Sequence, residues 1–273
     1  MIPPRIIQTA KTKDLPPLAQ ASAVNLKLLH PGWDYCFYDD AAVLEFVATE
    51  FPEFSTVFHQ FPFKIQRFDF FRYLAVYRRG GFYFDLDVLL SEPLDRLLPH
   101  SCVVPFEEIT LSRHLRENLG LDWEVGNYAF GARAGDPFLA KVIENCVRSQ
   151  KDASWTAPMM RGIPRWFRKD FEVLNSTGPG MLTRSLAENP DLHPGVHVLF
   201  PEDVHDRRSW HQFGSIGTHL MEGSWRDQGS FLHRKLAYKW EDRARNRGMA
   251  ASRQLGPKRS LPGLHPPTAA STL

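Results

Sequence analysis

The chain has 273 residues, a formal net charge of +2, and ordinary shares of apolar (43%) and charged (23%) residues. That length allows one large α/β domain, and so small a net charge argues against nucleic acid as the main partner. Cys36, Cys102 and Cys146 show no CxxC spacing, which argues against a disulfide framework or a structural zinc site and fits a reducing compartment.

In chain order, Met1 to Ile7 lacks the pattern of a signal peptide, and no run approaches about 18 apolar residues, so a soluble, cytoplasmic protein is expected. Ile6-Ile7-Gln8-Thr9 and Tyr35-Cys36-Phe37-Tyr38 read as buried strands, with helices over Pro16 to Leu29 and Ala41 to Phe51. Lys64 to Arg78 is the longest predicted helix, with Ile65, Phe68, Phe71, Leu74, Ala75 and Val76 on its apolar side and Gly80-Gly81 as its stop. Further strands are predicted at Cys102 to Pro105, Tyr128 to Ala132 and Val196 to Pro201, and a helix at Pro137 to Arg148. Pro158 to Phe171 has no clean period, and Thr177-Gly178-Pro179-Gly180 predicts a tight turn opening a helix at Met181. Alternating strands and helices predict a mainly parallel sheet flanked by helices in one domain, 1–240. From 241 to 273 the composition turns to Arg, Ser, Pro, Gly and Ala, and a disordered basic tail is expected.

The stretch Phe82-Tyr83-Phe84-Asp85-Leu86-Asp87 carries the clearest chemistry. If extended, it points Asp85 and Asp87 to one face with Leu86 turned inward. Two neighbouring carboxylates repel unless a cation or proton lies between them, so they form a candidate site for Mg²⁺ or Mn²⁺ and, through it, a phosphate-bearing substrate. Asp69 and Arg72, three apart on the preceding helix, face the same way. The bland reading of that pair is an exposed surface ion pair.

Ile2-Pro3-Pro4-Arg5-Ile6-Ile7-Gln8-Thr9, Trp33 with Tyr38-Asp39-Asp40, and Asp69-Phe70-Phe71-Arg72-Tyr73-Leu74 running on to Asp85-Leu86-Asp87 together resemble the DXD-containing glycosyltransferases. That group, glycosyltransferase family 32 and its kin, includes bacterial capsule and lipopolysaccharide transferases and fungal Golgi mannosyltransferases. Its core is similar to the glucosyltransferase domains of clostridial toxins. The resemblance implies a GT-A fold, a UDP- or GDP-hexose donor and retention at the anomeric carbon. It implies that Gln8 and Thr9 border the nucleoside, that Asp69 contacts nucleoside or sugar, and that Arg72 approaches sugar or phosphates. Asp85 would meet ribose and metal, and Asp87 would be the direct metal ligand. More loosely, Asn127 would face the donor sugar and Thr177-Gly178-Pro179 the acceptor. His219 and Trp225 would close over the diphosphate, with His219 a metal or phosphate contact. The family's His-Gln is Ile7-Gln8 here.

These expectations describe a hexose transferase acting on a glycan or lipid-linked acceptor, as in surface polysaccharide synthesis, with Asp122 and Glu124 as carboxylates to test. The basic residues Arg161, Arg165, Arg168 and Lys169 around Trp166, with the tail, would serve peripheral contact with the inner face of a membrane. Two alternatives stand beside this reading: a haloacid-dehalogenase-type phosphatase with Asp85 as nucleophile, and an inactive carbohydrate-binding protein of the same fold.

Overall fold

The computed structural model describes residues 1–221, 231–255 and 264. The chain begins with β1 (Arg5–Thr9), α1 (Pro17–Leu29), β2 (Asp34–Tyr38), α2 (Asp40–Glu50), α3 (Ser55–Gln60), α4 (Lys64–Arg79), β3 (Gly81–Phe84) and β4 (Val88–Leu90). It continues through β5 (Cys102–Ile109), α5 (Arg113–Asn118), β6 (Trp123–Val125), β7 (Ala129–Ala132), α6 (Pro137–Lys151) and α7 (Ala153–Thr156). The last elements are α8 (Arg168–Ser176), α9 (Pro179–Ala187), β8 (Val196–Leu199), β9 (Gln212–Phe213), β10 (Gly217–His219) and α10 (Phe231–Leu255).

The main sheet has seven strands in the order β2-β1-β3-β7-β5-β6, with β8 also paired to β5. The pairs β1·β2, β1·β3 and β5·β8 are parallel, whereas β3·β7, β5·β7 and β5·β6 are antiparallel. Because β7 reverses the direction twice, β5 and β8 run the same way as β1, β2 and β3, and only β6 and β7 oppose them. The expected α/β class with a mainly parallel sheet flanked by helices therefore holds. Ile7, Tyr83 and Phe130 pack on one face with residues of α2, α4 and α6, while Ile6, Phe82 and Phe84 pack on the other with α1 and β4. Burial on both faces accounts for the continuous apolar runs at these strands.

The double glycine between α4 and β3 is set by space as well as by backbone. Gly80 and Gly81 have φ of +65° and +112°, and a Cβ on Gly81 would stand 2.7 Å from the Arg5 carbonyl oxygen. Only glycine tolerates both conditions, so the turn brings β3 tightly alongside β1.

A second, three-stranded antiparallel sheet, β4-β10-β9, has strands too short to leave a readable pattern. The region 241–255 differs from the disordered tail expected there, because it continues α10. Trp240 packs on Phe167 and Phe171, Arg245 pairs with Glu108 at 2.7 Å, and Arg207 pairs with Asp242 at 2.6 Å. Among its described residues the helix is held by these ion pairs, by Trp240 and by Met249 against the core, a sparse apolar pattern that makes its sequence resemble a tail. All three cysteines are free, and no helix among the described residues is long and apolar enough to cross a membrane.

Candidate active site

The two aspartates are not in one strand. β3 ends at Phe84, and Asp85-Leu86-Asp87 forms the turn into β4, closed by a hydrogen bond from the Val88 N–H to the Asp85 carbonyl at 3.2 Å. The alternation expected of an extended backbone therefore does not operate, and the turn itself brings the carboxylates together. The second sheet adds a third group: β10 lies antiparallel to β4 with His219 opposite Val88. Ligand atoms of Asp85, Asp87 and His219 all lie within 4.8 Å of one another, and His219 Nε2 is 3.3 Å from Asp87 Oδ1. Backbone bonds hold the histidine, its N–H donating to the His211 carbonyl at 3.1 Å and the Leu220 N–H donating to the Asp87 carbonyl at 2.9 Å. Its ring stacks on Tyr128 at 4.2 Å.

Two carboxylates and an imidazole, half-buried and convergent, fit a divalent cation such as Mn²⁺ or Mg²⁺. Burial raises the Asp85 pKa, opposed by Arg72 and His219 and reinforced by Asp87. Positive charge at this point would relieve that strain.

Arg72 is the hub of the site. Four per cent exposed, its guanidinium lies 3.1 Å from Asp69 Oδ1 and 3.3 Å from both Asp85 oxygens, and donates to the Asn127 carbonyl at 2.8 Å. It also covers the Tyr83 ring at 4.6 Å. Burial works against its charge, but Asp85, Tyr83 and Asp69 more than offset that and leave its pKa raised. The surface ion pair weighed from sequence is in fact a buried network.

Asp69 is equally enclosed. Asn127 Nδ2 donates to Oδ1 at 3.3 Å and Thr177 Oγ1 to Oδ2 at 2.9 Å, while burial pushes its pKa up to about 6 against the pull of Arg72. Thr177, read as framing the acceptor, is fully buried and serves to fix Asp69. Asn127 also donates to the Tyr73 hydroxyl at 3.1 Å, and that hydroxyl donates to the Thr177 carbonyl at 2.8 Å.

The residues expected to border the nucleoside separate into two kinds. Gln8 is fully buried, donating to Ser22 Oγ at 3.3 Å and accepting from the Tyr35 hydroxyl at 2.7 Å. Ser22 in turn donates to the Val88 carbonyl at 2.8 Å, so Gln8 braces the strand after the DXD instead of opening toward a ligand. Thr9 does face the site: its hydroxyl is 3.4 Å from that of Tyr83, which donates to Asp85 Oδ1 at 2.8 Å. Trp225 lies outside the described residues. The sequence assigns Tyr73, Tyr83 and Tyr128 no role in the site, because aromatic residues in apolar runs look like plain core.

Residues 17–104 match the family described as "Glycosyltransferase sugar-binding region containing DXD motif". The chain is similar to the DXD-containing glycosyltransferases. Over 232 residues it is 30% identical to inositol phosphoceramide mannosyltransferase 3 of Schizosaccharomyces pombe, covering 77% of this chain and 56% of that protein. Over 183 residues it is 29% identical to mannosyl phosphorylinositol ceramide synthase SUR1 of Saccharomyces cerevisiae, covering 67% and 41%. It thus spans about half the length of the curated relatives it matches. Among solved structures it aligns with the PaToxG glycosyltransferase at 15% identity and a TM-score of 0.48, over 70% of this chain and 72% of that one. Asp85 and Asp87 lie inside the matched segment and are its DXD pair. Asn127, Thr177 and His219 all lie beyond the matched segment.

Proposed function

We infer that this chain transfers a hexose from a nucleotide diphosphate sugar to an acceptor hydroxyl, with a divalent cation at Asp85, Asp87 and His219. The observation that carries this reading is the convergence of those three ligands beside the buried Asp69–Arg72–Asp85 network. A bound Mn²⁺ or Mg²⁺ supplies positive charge for the diphosphate as it departs. Arg72, held charged and in one orientation by three partners, adds a fixed donor near the same place, which needs no rearrangement during reaction. Thr9 and Tyr83 orient Asp85, while Asn127 and Thr177 orient Asp69.

In the transfer, the bond from the anomeric carbon to the diphosphate oxygen breaks with its electron pair leaving on the diphosphate. The bond to the acceptor oxygen forms, and the acceptor proton passes to the diphosphate. Neither Asp69 nor Asp85 stands as a free nucleophile, since both Asp69 oxygens and both Asp85 oxygens are engaged by donors. This favours attack by the acceptor on the donor's own face, and retention. The same engagement argues against Asp85 as a phosphatase nucleophile.

The relatives' names carry mannose and an inositol phosphoceramide acceptor, so a mannosyl donor and a glycolipid acceptor stand first for this chain, ahead of a surface polysaccharide. Exposed Trp166 among Arg165, Arg168 and Lys169 supports peripheral contact with an anionic membrane that presents such an acceptor. The test is a thermal-shift screen of UDP- and GDP-hexoses with Mn²⁺, followed by product analysis with the stabilising donor. No stabilisation and no release of nucleoside diphosphate with any donor would leave the inactive carbohydrate-binding protein as the better reading.

A further inference from the structure

Beside the metal-ligand cluster, on the far side of His211, lies a cleft of about 150 Å³ covered by α10. It is walled off from the cluster by little more than one residue. The rings of His211 and His219 are 6.4 Å apart, and the His211 carbonyl accepts the His219 N–H. His211 Nδ1 is 3.2 Å from Glu107 Oε1. On the other wall a Cβ on Gly126 would stand 2.3 Å from Glu107 Oε2, so the loop carrying Asn127 rests directly against the cleft's floor. His211 itself has φ of +57°, a conformation that costs energy in a residue with a Cβ, and it stands between the cleft and the metal-ligand cluster.

Apart from apolar side chains such as Met159, Phe171 and Trp240, the lining has two polar chemistries. Glu107 and Glu124 form the floor, with Glu124 accepting a hydrogen bond from the Thr110 hydroxyl. Exposed Arg161, on the loop before α8, and Arg247, on α10, stand at the rim. Among the described residues neither is in an ion pair, in contrast to Arg245 of the same helix, which is engaged by Glu108 and Glu241. Buried acidic oxygens beside a hydroxyl suit sugar or polyol hydroxyls, and guanidinium groups suit a phosphate.

We propose that this cleft is the acceptor subsite, and that it takes a polyol bearing a phosphate, with hydroxyls against Glu107 and Glu124 and the anion against Arg161 and Arg247. The inference rests on the transferase reading, which supplies the need for an acceptor next to the DXD. Glu124 is suited to the task because burial, reinforced by Glu108, pushes its pKa up to about 8, so near neutral pH it carries a proton and both donates and accepts. A solvated carboxylate would only accept.

The experiment is calorimetric titration of the full chain with inositol 1-phosphate, with myo-inositol and inorganic phosphate as comparison probes. Inositol 1-phosphate binds more tightly than either part alone. The double variant Arg161→Ala/Arg247→Ala weakens it about tenfold or more, as expected for lost charge-assisted bonds, and Asp87→Ala leaves it unchanged. Unaltered binding in the double variant, no binding to the wild-type chain, or equal affinity for inorganic phosphate overturns the proposal. Stabilisation by nucleotide sugars with Mn²⁺, measured on the same preparations, reports separately on the transferase reading.

Discussion

Thr177 donates its hydroxyl hydrogen to Asp69 at 2.9 Å across 108 residues of sequence, tying the start of α9 to the middle of α4. The bond sits in a fully buried setting, where a carboxylate oxygen without a donor is costly. Thr177→Val keeps the shape and removes the donor, so it is expected to lower stability by about 1–3 kcal/mol, whereas Thr177→Ser retains most of it. Urea unfolding of the two variants side by side checks this, and equal midpoints would mean that Asp69 does not depend on the hydroxyl.

Arg72 balances two carboxylates at once. Arg72→Met leaves Asp69 buried beside no cation and is expected to destabilise the fold by about 3–5 kcal/mol. Arg72→Lys keeps a charge but cannot span Asp69, Asp85 and the Asn127 carbonyl together, so it should fold and still lose about 100-fold in transfer rate. Circular dichroism melting and initial rates with the stabilising donor distinguish the two effects. A fully active lysine variant would remove the fixed-donor role.

Asp87 and His219 are held by the backbone of β4 and β10, so their variants test ion binding more than folding. Asp87→Ala should abolish the Mn²⁺-dependent rise in melting temperature expected of the wild-type chain with a nucleoside diphosphate, and chelation should abolish it in the wild-type chain. His219→Ala should weaken Mn²⁺ binding by a smaller factor. A Mn²⁺ response that persists in Asp87→Ala would move the ion elsewhere.

Glu124 gives a pH signature with a definite sign. Its pKa is pushed up to about 8, chiefly by burial, from an ordinary 4.5. A carboxyl raised in the folded state contributes stability that is fully present below pH 4.5 and is lost as pH rises through about 8. Glu124→Gln stays neutral throughout, so the wild-type melting temperature should fall relative to that of the variant between roughly pH 5 and pH 9. Parallel curves across that window would show that Glu124 is charged at neutral pH.

Much of the frame was legible because it is written in local patterns. The strands at Ile6 and Tyr35, the helix at Lys64 and its glycine stop depend on period and turn chemistry, which neighbours in sequence determine. The turn at Asp85-Leu86-Asp87 reads as strand because four consecutive buried residues run straight into it with no Gly, Pro or Asn to mark it. The candidate site is legible all the same, since two acids one residue apart are enough to mark it. The burial of Asp69 and Arg72 was not legible at all. It depends on Thr177 and Asn127 arriving from distant segments, and nothing near residue 69 announces them. The short strands β9 and β10 and the ion-paired α10 escaped for a related reason, since each is stabilised by what it packs against.

The pairing of β10 with β4 also bears on which ions the site can take. Asp87 and His219 are joined by a ladder of main-chain bonds, so the distance between them is governed by the sheet and not by flexible side chains. Such a rigid bite resists widening, and the larger the ion, the more the two strands must part to admit it. If a divalent cation binds there as proposed, selection by radius, with small ions such as Mg²⁺ and Mn²⁺ ahead of Ca²⁺, is expected to follow from the second sheet.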